Sequence, residues 1–472
     1  MQPQPTPTAP QERLADEDIT AAVDRFLATR KGLSASLIDV TTRDGIVELT
    51  GFVGTLLERA LAEAIAKEVR GVRGVLNELV IRTADVPDAP LLGDVEAALA
   101  RDPATAAYNV RCHVHAGQVT VEGTLQSWAE QQLVLLAVQG VRGVRAIHLK
   151  LNLRDDEVSN TDADLITQIR AVLDWDIRVQ SELVSIRAHE GVVHLEGTVG
   201  TAAERDFAVT TAYQAGARRV DARDLFVARW ALDPALRPQK FAAAPDEDVA
   251  EAVRDALRLD PRVRAFAPTV HVRDGVVTLA GTVGNLLAQR TAEQDAENVV
   301  GVREVHNLLQ VETHYPAPDA ATRQHIKAAL ACDPYVGHYT FTLNVSHSKV
   351  QLYGTVDAQA DAERAADVAA GVTGVVSLDN HVQTSATAQD FAPPAADGNI
   401  EPDHVLEQRL RNHFYWSALL HDENIEVEVR HGRVTLTGTV NTHLERRTAA
   451  REAYACGARD VNNHLHLPAY AR

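Results

Sequence analysis

A short segment that returns six times along the chain constrains the fold more than any other feature. It reads GIVELTG from Gly45 to Gly51, GQVTVEG from Gly117 to Gly123, GVVHLEG from Gly191 to Gly197, GVVTLAG from Gly275 to Gly281, SKVQLYG from Ser348 to Gly354 and GRVTLTG from Gly432 to Gly438. A second marker follows each copy: GVRGV from Gly71, GVRGV from Gly140, GARRV from Gly216, GVREV from Gly301, GVTGV from Gly371 and GARDV from Gly457. From the last glycine of the first segment to the second marker the separation runs 20, 17, 19 and then 20, 17, 19 residues. Corresponding glycines of copies one and four, two and five, and three and six lie 230, 231 and 241 residues apart. Trp175 and Trp416 keep the last offset, and the pairs Asp102-Pro103 and Asp333-Pro334 keep the middle one. Self-similarity at a fixed period marks a repeat architecture. Here a three-repeat unit is duplicated into halves of 16–229 and 246–468, around a Pro- and Ala-rich seam from Trp230 to Pro245.

In the first copy Ile19, Val23, Phe26 and Leu27 recur at helical spacing and predict a helix ending near Lys31-Gly32. Leu37 to Val40 and Ile46 to Leu49 alternate apolar with polar around Arg43-Asp44-Gly45, the pattern of a hairpin. Thr55-x-x-Glu58 is a capping box, in which hydroxyl and carboxylate satisfy free N–H groups at a helix start. It opens a second helix through Leu61 and Ile65 to Val69, and returns as Ser127-x-x-Glu130, Thr201-x-x-Glu204 and Thr442-x-x-Glu445. Gly71 is placed to close that helix as a left-handed cap, with Val75 to Ile81 as the last strand. The expected fold is therefore α+β: six tandem αββαβ modules arranged as a duplicated three-domain unit. The expected segments are a disordered stretch at 1–15, modules at 16–83, 90–154 and 161–229, a linker at 230–245, modules at 246–313 and 319–384, a linker at 385–400 and a module at 401–468. Linkers as short as Asp85–Pro90 and Asp155–Asn160 leave little slack, so modules of one half are expected to touch. The duplication favours halves paired about a pseudo-two-fold axis over a six-module ring, and the longer segments Trp230–Pro245 and Ser385–Ile400 are expected to allow more freedom.

Composition bounds the partners. Hydrophobic residues make up 45% and charged residues 24% of 472, which excludes a disordered or collagen-like chain. Aromatic residues are only 5%, so the core is expected to be built from Val, Leu, Ile and Ala. A net charge of −19 repels phosphate backbones and anionic membrane surfaces at long range, which argues against nucleic acid and anionic lipid as main partners. Met1 to Pro10 lacks the basic start and apolar stretch of a secretory signal, and no apolar run reaches the roughly 18 residues of a membrane span. Cys112, Cys332 and Cys456 are far apart, odd in number and outside CxxC spacing. They are expected to be free thiols in a reducing cytoplasm.

The G-x-V-x-L-x-G hairpin strand, the Ala-rich second helix and the G-V-x-x-V entry to the last strand, taken together in all six repeats, resemble the BON domain, a module named for bacterial osmotically inducible and nodulation proteins. Ser348 in place of the first glycine, and Ala in GARRV and GARDV, depart from the pattern and speak against one shared ligand site. The resemblance implies binding or scaffolding roles in stress physiology and envelope maintenance. Among relatives it brings phospholipid contact, chaperoning and potassium binding, and a kinship with ring-building modules of secretion systems.

Individual residues have mostly structural readings. Gly51, Gly123, Gly197, Gly281, Gly354 and Gly438 fall at strand ends where a side chain is expected to strike the second helix. GVRG at Gly71 and Gly140 mimics the loop with which KH domains clamp nucleic acid, but it joins a helix to a strand instead of two helices. Cys112, His113 and His115 form the most metal-like cluster. Alternation puts both histidines on one strand face and the cysteine on the other, short of the three or four ligands of a zinc site. The matching positions are Leu343, Asn344 and Ser346, and His464 with His466 has no neighbouring cysteine. Trp175 and Trp416 follow the first helix of their repeats and are expected to pack between repeats, because a unit of about 65 residues buries little surface alone; the functional alternative is an aromatic binding anchor. No nucleophile elbow, phosphate loop, HExxH helix or dinucleotide fingerprint occurs. Asp155-Asp156-Glu157 and Asp246-Glu247-Asp248 read as linker or helix-start charges. No catalytic residue, metal ligand, cofactor or ligand-binding residue is assigned. The expected function is a non-enzymatic binding scaffold of bacterial stress physiology that engages a protein partner or a second copy of itself. A potassium or small-ligand sensor, with backbone carbonyls at repeat junctions as ligands, is the first alternative, and a phospholipid-binding or chaperone-like protein the second.

Overall fold

A computed structural model describes residues 14–29, 33, 37–83, 85–102, 104–153, 161–233, 236, 244–263, 266–312, 318–333, 336–356, 359–372, 374–384, 402–421 and 423–467. Six modules of one pattern follow one another. Module one holds α1 (Asp16–Thr29), β1 (Ile38–Arg43), β2 (Ile46–Val53), α2 (Leu56–Glu68), β3 (Gly74–Asn77) and β4 (Val80–Ile81). Module two holds α3 (Asp88–Arg101), β5 (Val110–His115), β6 (Gln118–Leu125), α4 (Trp128–Gln139) and β7 (Ala146–Leu153). Module three holds α5 (Asp162–Trp175), β8 (Val184–His189), β9 (Val192–Val199), α6 (Ala202–Gln214) and β10 (Arg219–Val227). Module four holds α7 (Asp246–Leu259), β11 (Thr269–Arg273), β12 (Val276–Val283), α8 (Leu286–Glu297) and β13 (Glu304–Val311). Module five holds α9 (Asp319–Cys332), β14 (Phe341–Ser346), β15 (Lys349–Val356), α10 (Gln359–Ala370) and β16 (Ser377–Thr384). Module six holds α11 (Asp403–Trp416), β17 (Asn424–Arg430), β18 (Arg433–Thr439), α12 (His443–Ala455) and β19 (Asp460–His466). In each sheet the middle strand pairs antiparallel with the first and parallel with the last.

One hydrogen-bond device recurs in every module. The hairpin turn has positive φ at both central residues, 51° and 73° at Asp44 and Gly45, as a tight two-residue hairpin requires. The first-turn aspartate of the first helix accepts from both turn N–H groups. Asp16 does so at 2.8 and 2.9 Å, and Asp88, Asp162, Asp246, Asp319 and Asp403 do the same, each from 28 residues upstream. These bonds hold the carboxyls of Asp162, Asp319 and Asp403 below the usual range. In module five His347-Ser348 adopts the turn without glycine, with φ of 51° and 63°. The second helices lie close to their sheets because they bury small residues one turn apart, such as Ala62 and Ala66, or Ala449 and Ala453, all 0% exposed. That close fit gives the low aromatic content its physical cause.

Several expectations change. The end glycines do not avoid the second helix. A Cβ on Gly51 would meet the Leu37 carbonyl oxygen at 2.1 Å, on the approach to β1, and Gly123, Gly197 and Gly438 abut backbone at the corresponding place. A Cβ on Gly281 would make only ordinary contacts, at 4.0 Å, but its φ is +127°, and Gly354 abuts the Phe341 ring. Helix α2 ends not in a left-handed Gly71 cap but at an extended Val69, which bridges to Ser417 far along the chain. The last strand of module one is split after Asn77, whose side chain donates to the Arg59 carbonyl and accepts from Leu79 N–H; Asn307 and Asn463 make the same bonds within unbroken strands. The glutamates of the capping boxes at Thr55, Ser127 and Thr201 accept from the residue before the cap rather than the cap itself; only Thr442–Glu445 among the four expected boxes is reciprocal. Helix α3 starts at Asp88, inside the stretch expected as a linker, because Asp88 must reach its turn. The seam is not loose where it is described: Ala231 and Leu232 are 0% and 4% exposed, and Gln180 donates to the Leu236 carbonyl. Residues 154–160 and 385–401 lie outside the described residues.

Each half is assembled through its second helices. Helices α2, α4 and α6 touch one another in the first half, and α10 touches α8 and α12 in the second. Leu56 packs into the core of module two, and its counterpart Leu286 into that of module five. In the first half Lys67 pairs with Asp206 at 2.6 Å, beside Glu63. By the duplication offsets these positions correspond to Glu297, Arg447 and Glu293, and Glu297 is ion-paired to Arg447. The same contact is thus made twice with its charges reversed. Replacing Asp206→Arg opposes it to Lys67 and is expected to lower stability by about 1 kcal/mol, the scale of a partly exposed pair. Adding Lys67→Glu recreates the arrangement of the second half and should recover most of that loss. Urea unfolding of both variants and Lys67→Glu alone reads the coupling, and strictly additive losses would refute it.

Candidate functional site at the module junctions

Two backbone bridges join the halves. Val300 N–H donates to the Trp175 carbonyl at 2.8 Å and Ile177 N–H to that of Asn298 at 3.1 Å, tying module three to module four. Arg70 N–H donates to the Trp416 carbonyl at 3.0 Å and Ala418 N–H to that of Glu68 at 3.3 Å, tying module six to module one. The second set is the first displaced by the offsets of 230 and 241, so one contact is used twice. Both tryptophans lie at these bridges: Trp416 is a buried member of the module-one core, and Trp175 packs half-buried against the module-four core. On the module-six side Phe26 stacks on His413 at 4.0 Å, and the Arg70 guanidinium lies over Tyr415.

The module-three bridge is ionic. Arg178 pairs with Asp176 at 2.6 Å, and Arg262 with Asp260 at 2.5 Å. Both arginines face Asp295 of α8, and Arg262 also faces Asp102 of module two. Burial, followed by the like charge of Asp260, pushes the Asp295 carboxyl up to about 8, and burial raises Asp102 as well. Beside this cluster a cleft of about 590 Å³ opens between modules two and four, with Tyr108, Gln126, Arg258, Phe266 and Leu287 among its walls. Arg258 is paired with Asp255 and Arg262 with Asp260, so the guanidiniums bring little net charge to it.

Neither the end glycines nor the metal-like cluster joins this site. Cys112 points into the module-two core, where burial pushes its thiol up to about 11, while His113 and His115 lie on the exposed face. Cys456 is also buried and in no disulfide among the described residues, and the side chain of Cys332 lies outside them. Asp155-Asp156-Glu157 lies outside them too, and Asp246 is held by its turn. Sequence reasoning passed over Asp295, Asp176 and Asp260 because each is one acid among many until folding apposes them. The Asp176-x-Arg178 and Asp260-x-Arg262 spacing was the signal available.

Six αββαβ modules with this hairpin turn and this strand order define a tandem-repeat α+β fold. The family model described as BON domain matches residues 15–83, 87–155, 161–225, 245–313, 318–386 and 402–469, and the chain belongs to the BON family. It is 31% identical over 191 residues to osmotically-inducible protein Y of Escherichia coli (strain K12), covering 39% of this chain and 88% of that protein. Among solved structures it is similar to CdsD, a structural protein of the type III secretion system of Chlamydia trachomatis, at 17% identity and a TM-score of 0.14, covering 50% of this chain and 97% of that one. The C-terminal domain of CdsD is matched at 17% identity and a TM-score of 0.13, covering 48% of this chain and all of that one.

The bridges predict unequal costs of truncation. Trp416→Ala removes a buried aromatic and is expected to cost about 3 kcal/mol or more, while Trp175→Ala at a half-buried site costs less. Denaturant midpoints of the two variants would show this order; equal, negligible losses would mean that the tryptophans do not hold the halves together.

Proposed function

We propose that the chain is a non-enzymatic binding scaffold of bacterial stress physiology, acting through the outer faces of its sheets. One observation carries the reading: the second helices are used up in joining modules, and the opposite sheet faces stay open. Leu76 and Val80 of module one, Phe226 of module three and Leu308 of module four are 50–63% exposed there. On module one, Phe52 lies beside Val80 on the central strand and carries the Arg82 guanidinium over its ring. In modules two and four exposed histidines flank a central threonine, His113 and His148 around Thr120, His271 and His306 around Thr278. The faces differ from module to module, which suits several contacts with a large partner better than six copies of one ligand site. The stress context is supported by the osmotically inducible relative. A partner captured from osmotically stressed cells should be released by Leu76→Glu combined with Val80→Glu, or by Leu308→Glu, at unchanged stability. Native mass measurement showing a lone monomer under all conditions, with no complex sensitive to these changes, would sink the scaffold reading.

The cleft between modules two and four favours a second reading, a small-ligand sensor. Its aromatic and aliphatic walls, with both guanidiniums paired and the Glu130 carboxylate among the lining groups, suit a neutral ring compound better than an anion or a bare potassium ion. Calorimetry with potassium against sodium separates these, and equal null traces are expected for the two salts; potassium-specific heat would reverse the preference.

A further inference from the structure

The two bridges share backbone geometry and differ in side chains, which makes one a control for the other. At the bridge between modules six and one, Ile65 lies 3% exposed within the module-one core, Ser417 pairs with Val69 across the bridge, and Leu419 packs against the module-six core. At the bridge between modules three and four the corresponding positions are Asp295, Asp176 and Arg178. Three uncharged residues at one bridge thus correspond to three charged ones at the other. We infer that the junction of modules three and four is a pH-sensitive latch that opens on the alkaline side, while the junction of modules six and one stays closed.

The charge balance supports this. Asp176 and Arg178 of module three, Asp260 and Arg262 of module four and Asp102 of module two all bear on Asp295, directly or through Arg262. Two guanidiniums therefore face four carboxyls, and each guanidinium already holds another carboxylate. The Asp295 Oδ2 is shut off from solvent with no hydrogen-bond partner among the described residues. Asp295 as a whole is half-buried, and a neutral carboxyl suits such a place better than an anion, because desolvated charge without a hydrogen-bond partner is costly. With its folded pKa raised to about 8 from 3.8, Asp295 holds a proton in the closed state that the open or unfolded chain gives up. The sign follows: the contribution of this group is full below about pH 4, falls as pH rises toward 8, and is flat above. Opening readmits water to the carboxylate. Since Arg262 also lines the cleft facing module two, the latch and the cleft share a wall.

The test is hydrogen exchange of the full chain between pH 6 and 9, corrected for the intrinsic pH dependence of exchange. Protection of the Ile177 and Val300 amides should fall about tenfold or more over this range, while that of the Arg70 and Ala418 amides stays constant. Asp295→Ile, which copies the other bridge, should abolish the difference. If that variant folds poorly, Asp295→Asn gives the uncharged group at the same size and should act likewise. A parallel fall at both bridges, no fall at either, or a fall that persists in Asp295→Asn overturns the latch.

Discussion

A module of about 65 residues leaves too large a share of its apolar surface exposed to be comfortable alone. This chain answers that constraint by docking modules on one another, and much of the architecture follows from how the docking is arranged. Leu56 and Leu286 reach into the neighbouring module's core, and Trp416 becomes part of a core formed mainly by module one. The second helix makes this possible. Its buried small residues let it lie close on its own sheet, and its outer side is then free to meet two other second helices. The sheets are left facing outward, with Leu76, Val80, Phe226 and Leu308 exposed.

Duplication explains the symmetry of the contacts and also its breaks. The backbone bridges survive unchanged in both places. Around them the side chains have diverged, from Lys67 with Asp206 to Glu297 with Arg447, and from Ile65 to Asp295. The reversed ion pair discourages modules one and four from exchanging places, since either exchange would oppose like charges. Such divergence gives two originally equivalent halves separate identities.

Much of the fold was legible because it is local. The hairpin turn, the N-cap hydroxyls and the helical stripe of Ile19, Val23, Phe26 and Leu27 are set by residues within a few positions of one another. The turn-capping aspartates were legible in principle, as the 28-residue spacing holds in all six copies, but only the folded hairpin shows what that spacing is for. What sequence could not show depends on distant partners. Helix α2 stops at Val69 where Ser417 pairs with it, and Asp295 becomes unusual only when folding buries it and brings Asp260 and Asp176 close.

The central claim is that six small modules close into one body through two equivalent bridges. Small-angle X-ray scattering of the full chain tests it most directly. A compact body of this length should show a radius of gyration of about 23 Å, somewhat more with its tails. A value near twice that, as for modules strung out on linkers, would contradict the account.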